Sequence, residues 1–436
     1  MVVALAIGGC GDSSAPAPVS VADVVRCDIA TEPCQRGIYT SVAETLEADG
    51  FIMPNIRTIS VDQHAQEVRN GLDLNDLTGE DPQSRGLRLM GFLPPATDSL
   101  AEAQAEYFIT QVAAYYSRGS RSITVIDRDY EPGSAQLILA HEFIHAIQDN
   151  QFNLNTVTSG ANTEDAVIGA RSVIEGDAMY SSFAWFYGVT GGAPTEAEWE
   201  AELMERTARL RERVADPTIA LIDTASSFPY SFGFEYVTNL SLAGGLPARS
   251  AAFGSPPATT AEVLAGQAPP GVLLDIPGPT HPAPLDGNIL QIENRFGAWY
   301  VYGFLLRQGM SDEEAWETAE RWLGDELAIY QGGDEVVAVW RVRFDDVERA
   351  VALSDQVNAS EVDAVRSAVT FGDDAFVFAA ETSETLLAWA DQPLDQMTAS
   401  IVSKAAKARG GAVSVGTCLL PHDPALFGPH AFRRAH

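Results

Sequence analysis

Two histidines four residues apart enclose a glutamate in the segment His141–His145, which reads H-E-F-I-H. On an α-helix, residues four apart lie one turn apart on the same face, so both imidazoles can reach one metal ion. Glu142 directly follows the first histidine, so its carboxylate can reach a water on the metal rather than the metal itself. The spacing therefore predicts a metal centre that activates water.

The residues around this motif predict that its helix is buried, because apolar side chains occupy nearly every face. Burying two histidines and a glutamate costs free energy of folding unless their polar atoms have hydrogen-bond partners or bind an ion. A zinc ion with its water would supply those partners. The alternative is a pair of core histidines satisfied by hydrogen bonds alone. The apolar neighbours are Leu137, Ile138, Leu139, Ala140, Phe143, Ile144, Ala146 and Ile147.

A catalytic zinc ion takes three protein ligands and keeps one position open. A third histidine at position 151 is excluded because the chain has Gln151 there, and the next histidine downstream is His281. Glu175, in the apolar run V-I-E-G-D-A, is the preferred third ligand. Its rival Glu164 lies three helical turns earlier on the same face, at the polar start of a helix, where an acid also stabilises the first turn.

The motif followed by Glu175 resembles the gluzincin class of zinc metallopeptidases. The runs H-E-F-I-H-A-I-Q-D-N-Q-F-N-L and I-E-G-D-A are similar to a family of bacterial proteins of this type without an assigned substrate, over roughly residues 85–345. One departure follows Glu262, where the family has His-Pro and this chain reads V-L-A-G-Q-A-P-P. Weaker shared blocks lie at Gly91–Pro95, Tyr115–Tyr116, Phe228–Gly233, Pro256–Glu262 and Trp322–Asp325.

The resemblance implies one Zn²⁺ per chain, which lowers the pKa of its water and polarises the scissile carbonyl. Glu142 is then predicted to take the proton of the water and pass it to the leaving amine. Tyr230 is a candidate donor to the developing oxyanion because Phe228 and Pro229 fix the chain just before it. The alternative for Tyr230 is an ordinary core aromatic residue. His281, in a proline-rich loop, is a second candidate donor.

Acidic side chains are expected to orient the two histidine rings of such a site. Asp149 and Asp177 are the nearest choices along the chain. Asp149 lies one turn after His145 on the same helical face. Asp177 lies about 200° round the helix from Glu175, so it is also a candidate for a cap or an ion pair elsewhere.

The elements that must position these residues follow from hydrophobic periodicity. Helices are predicted over Asp98–Tyr116, Ala135–Asn150 and Thr163–Tyr187. The β-branched run Ser122–Ile126 predicts a strand, which by analogy with gluzincins would be the edge strand that pairs with an extended peptide. The predicted fold class is α+β and predominantly helical, with a zincin-like catalytic domain containing a small edge sheet, and a C-terminal α+β region.

The length of 436 residues allows two or three domains, and 46% hydrophobic residues is ordinary for a globular protein with a core. The formal net charge of −33 argues against nucleic acid as a partner, because such a surface repels phosphate. The predicted regions are 1–20 lipoprotein-like signal and tether, 21–95 N-terminal region, 96–250 zincin-like catalytic domain, 251–287 proline-rich loop or linker, 288–409 C-terminal α+β region and 410–436 loose tail.

The N-terminal run M-V-V-A-L-A-I-G-G-C resembles the lipobox of bacterial lipoproteins, in which the cysteine, here Cys10, becomes the lipid-modified first residue. The charged segment that usually precedes the apolar run is missing, and the alternative is a short apolar N-terminus with a chance cysteine. The resemblance implies a membrane-anchored protein of the bacterial cell envelope. In that oxidising compartment, Cys27 and Cys34 could form a disulfide, whereas Cys418 has no obvious partner.

The sequence thus predicts a zinc-dependent hydrolase. Among hydrolases, the preferred interpretation is an endopeptidase of the bacterial envelope that acts on peptides or proteins. One alternative is a zinc-containing binding or assembly protein that keeps the peptidase-like fold without turnover. Retention of the base Glu142 argues against that alternative. Another is a zinc hydrolase that cleaves a different bond, such as a cell-wall amide.

Overall fold

The computed structural model describes residues 23–48, 50–72, 74, 81–131, 133–266, 287–360 and 365–391, and the backbone of 417–421. Outside these residues lie the predicted signal and tether at 1–20, His281, most of the predicted proline-rich loop, and the predicted tail apart from 417–421. Within the described ranges, no helix is long and apolar enough to cross a membrane.

Most of the described residues are helical, and a five-residue π-helix, Pro229–Gly233, joins two of the α-helices. The α-helices are α1 (Glu32–Thr45), α2 (Val61–Gly71), α3 (Pro82–Leu89), α4 (Leu100–Gln111), α5 (Ser134–Phe152), α6 (Leu154–Thr158), α7 (Glu164–Thr190), α8 (Glu196–Ala215), α9 (Leu221–Phe228), α10 (Phe234–Gly254), α11 (Thr260–Leu264), α12 (Ala298–Arg307), α13 (Asp312–Glu320), α14 (Val347–Ala359) and α15 (Ser383–Ala390).

The described strands form two separate sheets. The first has the order β1-β3-β2-β9, with β1 parallel to β3 and the other pairs antiparallel. The second has the order β4-β5-β6-β8-β7 and is antiparallel throughout. The strands are β1 (Asn55–Ser60), β2 (Val112–Ser117), β3 (Ser122–Asp127), β4 (Ile289–Asn294), β5 (Trp322–Gly332), β6 (Glu335–Phe344), β7 (Arg366–Phe371), β8 (Asp374–Ala380) and β9 (Thr417–Pro421).

The α+β class and the helical majority predicted from the sequence are confirmed. One predicted helix was too long, because Asp98–Tyr116 divides into α4 and β2. The apolar residues of β2 fit a helical period, but they pair with β3, where Tyr116 lies opposite Ile123. Contacts between neighbouring strands thus override the local pattern.

The prediction that Ser122–Ile126 is an edge strand was wrong. This run forms most of β3, which lies between β1 and β2 and is buried along most of its length. A strand with neighbours on both sides has no free backbone groups for an added peptide. The order of strands depends on contacts distant in sequence, which the local pattern does not contain.

Two hydrophobic clusters form the main core, and α7 contributes to both of them. Val173 and Ile174 pack in the larger cluster, with residues of α9, α12 and the second sheet. Ala178 and Met179, one turn later, pack in the cluster formed with α1, β2 and α5. The segment around residue 175 therefore lies between the two clusters, where its position is fixed from both sides.

The N-terminal helix α1 packs against α5, and a disulfide closes the loop that leads into it. Cys27 and Cys34 are bonded, which confirms the pairing predicted from the sequence. Such a bond restricts the unfolded chain and so favours the folded state.

The start of α7 is held by a hydrogen bond, because Thr260 donates its backbone N–H to the Asp165 carboxylate at 2.7 Å.

Candidate metal centre

The predicted motif helix is α5, which runs from Ser134 to Phe152 and is buried over most of its length. It begins after Gly133, whose φ of 86° is a left-handed conformation that favours glycine. His141, Glu142 and His145 are each 0% exposed. The prediction of a buried helix is confirmed, and its i, i+4 spacing directs both imidazoles to one place.

The second element of the site is α7, which packs against α5 and brings Glu175 to the two histidines. The Glu175 Oε2 atom lies 3.4 Å from His141 Nε2 and 3.1 Å from His145 Nε2. The potential ligand atoms of the three residues all lie within 4.8 Å of one another. These three buried side chains form a group that could hold a metal ion.

The rival residue Glu164 does not join this group. It is the first residue of α7, about 16 Å along the helix axis from Glu175 at the usual helical rise. Its backbone N–H donates to Asn294 Oδ1 at 2.9 Å. Burial raises the pKa of Glu164, with Arg171 opposing that effect. The described metal-binding group thus contains Glu175, the choice preferred from the sequence, and not Glu164.

Burial and the neighbouring charged groups shift the pKa values of the candidate ligands. Burial alone would raise the pKa of Glu175, but the two histidines and Arg171 outweigh burial and keep the pKa well below its usual range. Arg171, one turn earlier on α7, places Nη2 3.5 Å from Glu175 Oε1. Burial, with the neighbouring His145, lowers the pKa of His141 to about 4. The imidazole of His141 is therefore neutral at physiological pH, the form that binds metal ions.

Glu142 is buried next to this group, and the backbone of Tyr116 interacts with its carboxylate and favours the charged form. Neither carboxylate oxygen has a partner of good hydrogen-bond geometry among the described residues, and the same is true of His141 Nδ1. Burial raises the pKa of Glu142 to about 8, Glu175 adds to this effect, and His145 opposes it. Buried polar atoms without partners are uncommon and call for a water or an ion. The residues present therefore fit a metal ion with a bound water.

Tyr230 lies on the π-helix between α9 and α10, a form of helix often found at functional sites. Its ring is buried and stacks on His141, with 6.3 Å between the ring centroids. The backbone of this segment is pressed against α7, since a Cβ atom on Gly176 would lie 2.2 Å from the Gly233 carbonyl oxygen. Tyr230 therefore lies next to the metal-binding group, which is where a donor to the oxyanion would have to lie.

The two acidic residues expected to orient the histidines have other partners. Asp149 accepts a hydrogen bond from the Tyr116 hydroxyl at 3.0 Å and another from the backbone of Leu154 at 3.1 Å. Asp177 is linked to His145 through Gln148, whose Oε1 lies 2.9 Å from His145 Nδ1 and whose Nε2 donates to Asp177 Oδ2 at 2.8 Å. The expectation of a direct contact with a histidine was therefore wrong for Asp149, whereas Asp177 forms the ion pair that was its predicted alternative, with Arg249.

Two residues of this site, Gln148 and Arg171, were missed in the sequence. Each lies within one helical turn of a metal-ligand candidate: Gln148 three residues after His145, and Arg171 four residues before Glu175. Residues three and four apart on a helix are neighbours, so this spacing was the available signal.

Comparison of the chain with protein-family models, curated proteins and solved structures found no match.

Proposed function

We propose that this chain is a zinc-dependent endopeptidase of the gluzincin type, with a zincin-like catalytic domain. The observation that carries the proposal is the buried group of His141, His145 and Glu175, next to the fully buried carboxylate of Glu142. Two imidazoles and one carboxylate are a ligand set of catalytic zinc, which keeps a further position for water or substrate. This donor set, rather than the overall fold, supports zinc over a hard cation such as Mg²⁺.

Zn²⁺ at this group would supply acidified water and a polarised carbonyl. Glu142 is the proton carrier: its carboxylate accepts a proton from the attacking water and delivers it to the leaving amine. A carrier works best when its pKa lies near the working pH. Burial raises the pKa of Glu142 in the metal-free chain, and the positive charge of a bound Zn²⁺ would lower it again. Its buried position also excludes bulk water as a competing proton acceptor.

Tyr230 is proposed as the donor to the oxyanion that develops on the substrate carbonyl. Its ring packs on His141, and the π-helix that carries it is held against α7 by a backbone contact. A donor fixed in a buried site stabilises developing charge more than a mobile donor in water does. The substrate is proposed to be a peptide or protein because the motif and Glu175 resemble the gluzincin peptidases, and the net charge of −33 disfavours nucleic acid.

Metal removal and return test this proposal. The chain is stripped with a chelator, reloaded with one equivalent of Zn²⁺ and assayed on unfolded casein and on a broad peptide library. We expect about one Zn²⁺ per chain, hydrolysis only in the reloaded form, and loss of hydrolysis on renewed chelation. Full zinc loading without cleavage of any peptide would favour the binding or assembly protein instead. Cleavage of cell-wall amides alone would contradict the proposed substrate class.

A location in the bacterial cell envelope, through a lipid at Cys10, is proposed on the lipobox-like run alone. The chain of residues 1–436 expressed in bacteria is expected to fractionate with membranes, whereas Cys10→Ala is released or stays unprocessed. Cys418→Ala serves as the matched control, since it removes a cysteine that belongs neither to the run nor to the Cys27–Cys34 disulfide. Equal fractionation of wild type and Cys10→Ala would contradict the anchor and leave the zinc proposal untouched.

A further inference from the structure

His145 has a defined hydrogen-bond partner on the side of its ring that faces away from Glu175. Its Nδ1 atom lies 2.9 Å from Gln148 Oε1, while its Nε2 atom lies 3.1 Å from Glu175 Oε2. An amide oxygen only accepts, so Nδ1 must carry the hydrogen. Nε2 is then left with its lone pair directed at the group that could hold the metal ion.

The orientation of the Gln148 amide is fixed by its own partners. Its Nε2 donates to the Ile174 carbonyl oxygen at 3.1 Å and to Asp177 Oδ2 at 2.8 Å. Both partners accept hydrogen bonds, so the NH₂ end must face them and the oxygen must face His145. Gln148 is 2% exposed, so its amide is held among protein groups rather than in bulk solvent.

Asp177 is fixed in turn by an arginine of a third helix. Arg249 of α10 donates through Nη1 to Asp177 Oδ1 at 2.5 Å and to Ser181 Oγ at 2.9 Å. Its guanidinium also lies over the Tyr180 ring, 4.6 Å from the centroid. The chain of contacts from His145 to Arg249 therefore crosses α5, α7 and α10 through buried side chains.

We propose that Gln148, oriented by Asp177 and Arg249, is the positioning residue that fixes the tautomer and direction of the His145 ring. The inference rests on the proposed function only in taking His145 as a zinc ligand. A carboxylate commonly takes this place in metalloproteins and adds negative charge beside the ligand. Here a neutral amide makes the contact, and the charge of Asp177 is matched by Arg249, so the ring is held without added charge.

The test compares three full-chain variants. Gln148→Met keeps most of the volume and removes both ends of the amide, so zinc affinity should fall about 10–100-fold. Asp177→Asn weakens the ion pair with Arg249 and reaches the His145 ring through Gln148, so it should lose less zinc affinity than the first variant. Gln151→Met is the matched control, because Gln151 lies on α5 and lines the same 340 Å³ cavity as Gln148 but is exposed and outside the chain of contacts. Zinc affinity is measured by competition with a chelating indicator.

A second measurement separates this proposal from the enzymatic one. ¹⁵N spectra of histidine-labelled, metal-free protein should show the Nδ1–H form of His145 in wild type and Gln151→Met, and a changed tautomer ratio in Gln148→Met. Lost zinc affinity in Gln148→Met, with no hydrolysis by wild type, would support the positioning role and contradict the endopeptidase. Unchanged affinity and an unchanged tautomer in Gln148→Met would overturn the inference, whatever the activity.

Discussion

Replacement of Glu142 by glutamine is expected to lower peptide hydrolysis at least about a hundredfold while zinc content stays at the wild-type value. Glutamine has nearly the same size, but it cannot take a proton from water. General bases contribute about 10²–10⁴-fold to rate, or roughly 3–5 kcal/mol of barrier. The described neighbour of the carboxylate is the backbone of Tyr116, and the amide oxygen of glutamine can still accept a hydrogen bond there, so the fold should be kept.

Three measurements on Glu142→Gln check this expectation: kcat/KM on casein-derived peptides, metal analysis and thermal melting. Glu196→Gln is the matched control, since Glu196 is an exposed glutamate in the first turn of α8. Hydrolysis by Glu142→Gln at the wild-type rate would refute the assignment of the base. Loss of zinc together with activity would instead make Glu142 a ligand or a structural residue.

Removal of the Glu175 carboxylate should have the largest effect on metal content. Glu175→Ala deletes one of three candidate ligands and leaves the imidazoles without the carboxylate that lies 3.1–3.4 Å from them. Zinc affinity should fall at least about a hundredfold, because the free energy of binding is shared among few ligands. The measurement is zinc retained after gel filtration, with competition titration for the affinity.

Glu164→Ala is the comparison for that experiment, because Glu164 lies on the same helix but outside the metal-binding group. It should retain about one Zn²⁺ per chain. The reverse pattern, with zinc kept in Glu175→Ala and lost in Glu164→Ala, would overturn the assigned ligand set. Retention in both variants would show that the ion binds without a glutamate from α7.

The parts of the site that could be predicted from sequence are those set by local helical geometry. The pair His141 and His145 needs only one turn of helix, and a helical α5 follows from its apolar neighbours. Glu175 was chosen for its apolar surroundings, and its approach to the histidines depends on how α7 packs against α5. That packing lies outside the local pattern, so the choice between Glu175 and Glu164 needed the structure.

The errors have a common physical origin in contacts between distant residues. Tyr116 fits a helical period, yet its strand pairing with Ile123 decides its conformation. Asp149 lies on the correct face of α5 for a histidine, but the Tyr116 hydroxyl and the start of α6 use its two oxygens. Gln148 was missed because an uncharged amide on an apolar helix has no distinctive sequence pattern. Its role depends on its partners on α7, the Ile174 carbonyl and Asp177, which are distant in sequence.

The three consecutive residues Glu175, Gly176 and Asp177 of α7 each contact a different part of the protein. Successive side chains point about 100° apart, so each faces a different neighbour: the histidine pair, the backbone of Gly233, and the amide of Gln148. A change at one of these positions cannot be offset by its neighbour in the chain, because the neighbour faces elsewhere. Substitutions at each of the three positions are therefore expected to be poorly tolerated, each for a different reason: loss of a candidate ligand, a clash with the Gly233 backbone, or loss of the Gln148 contact.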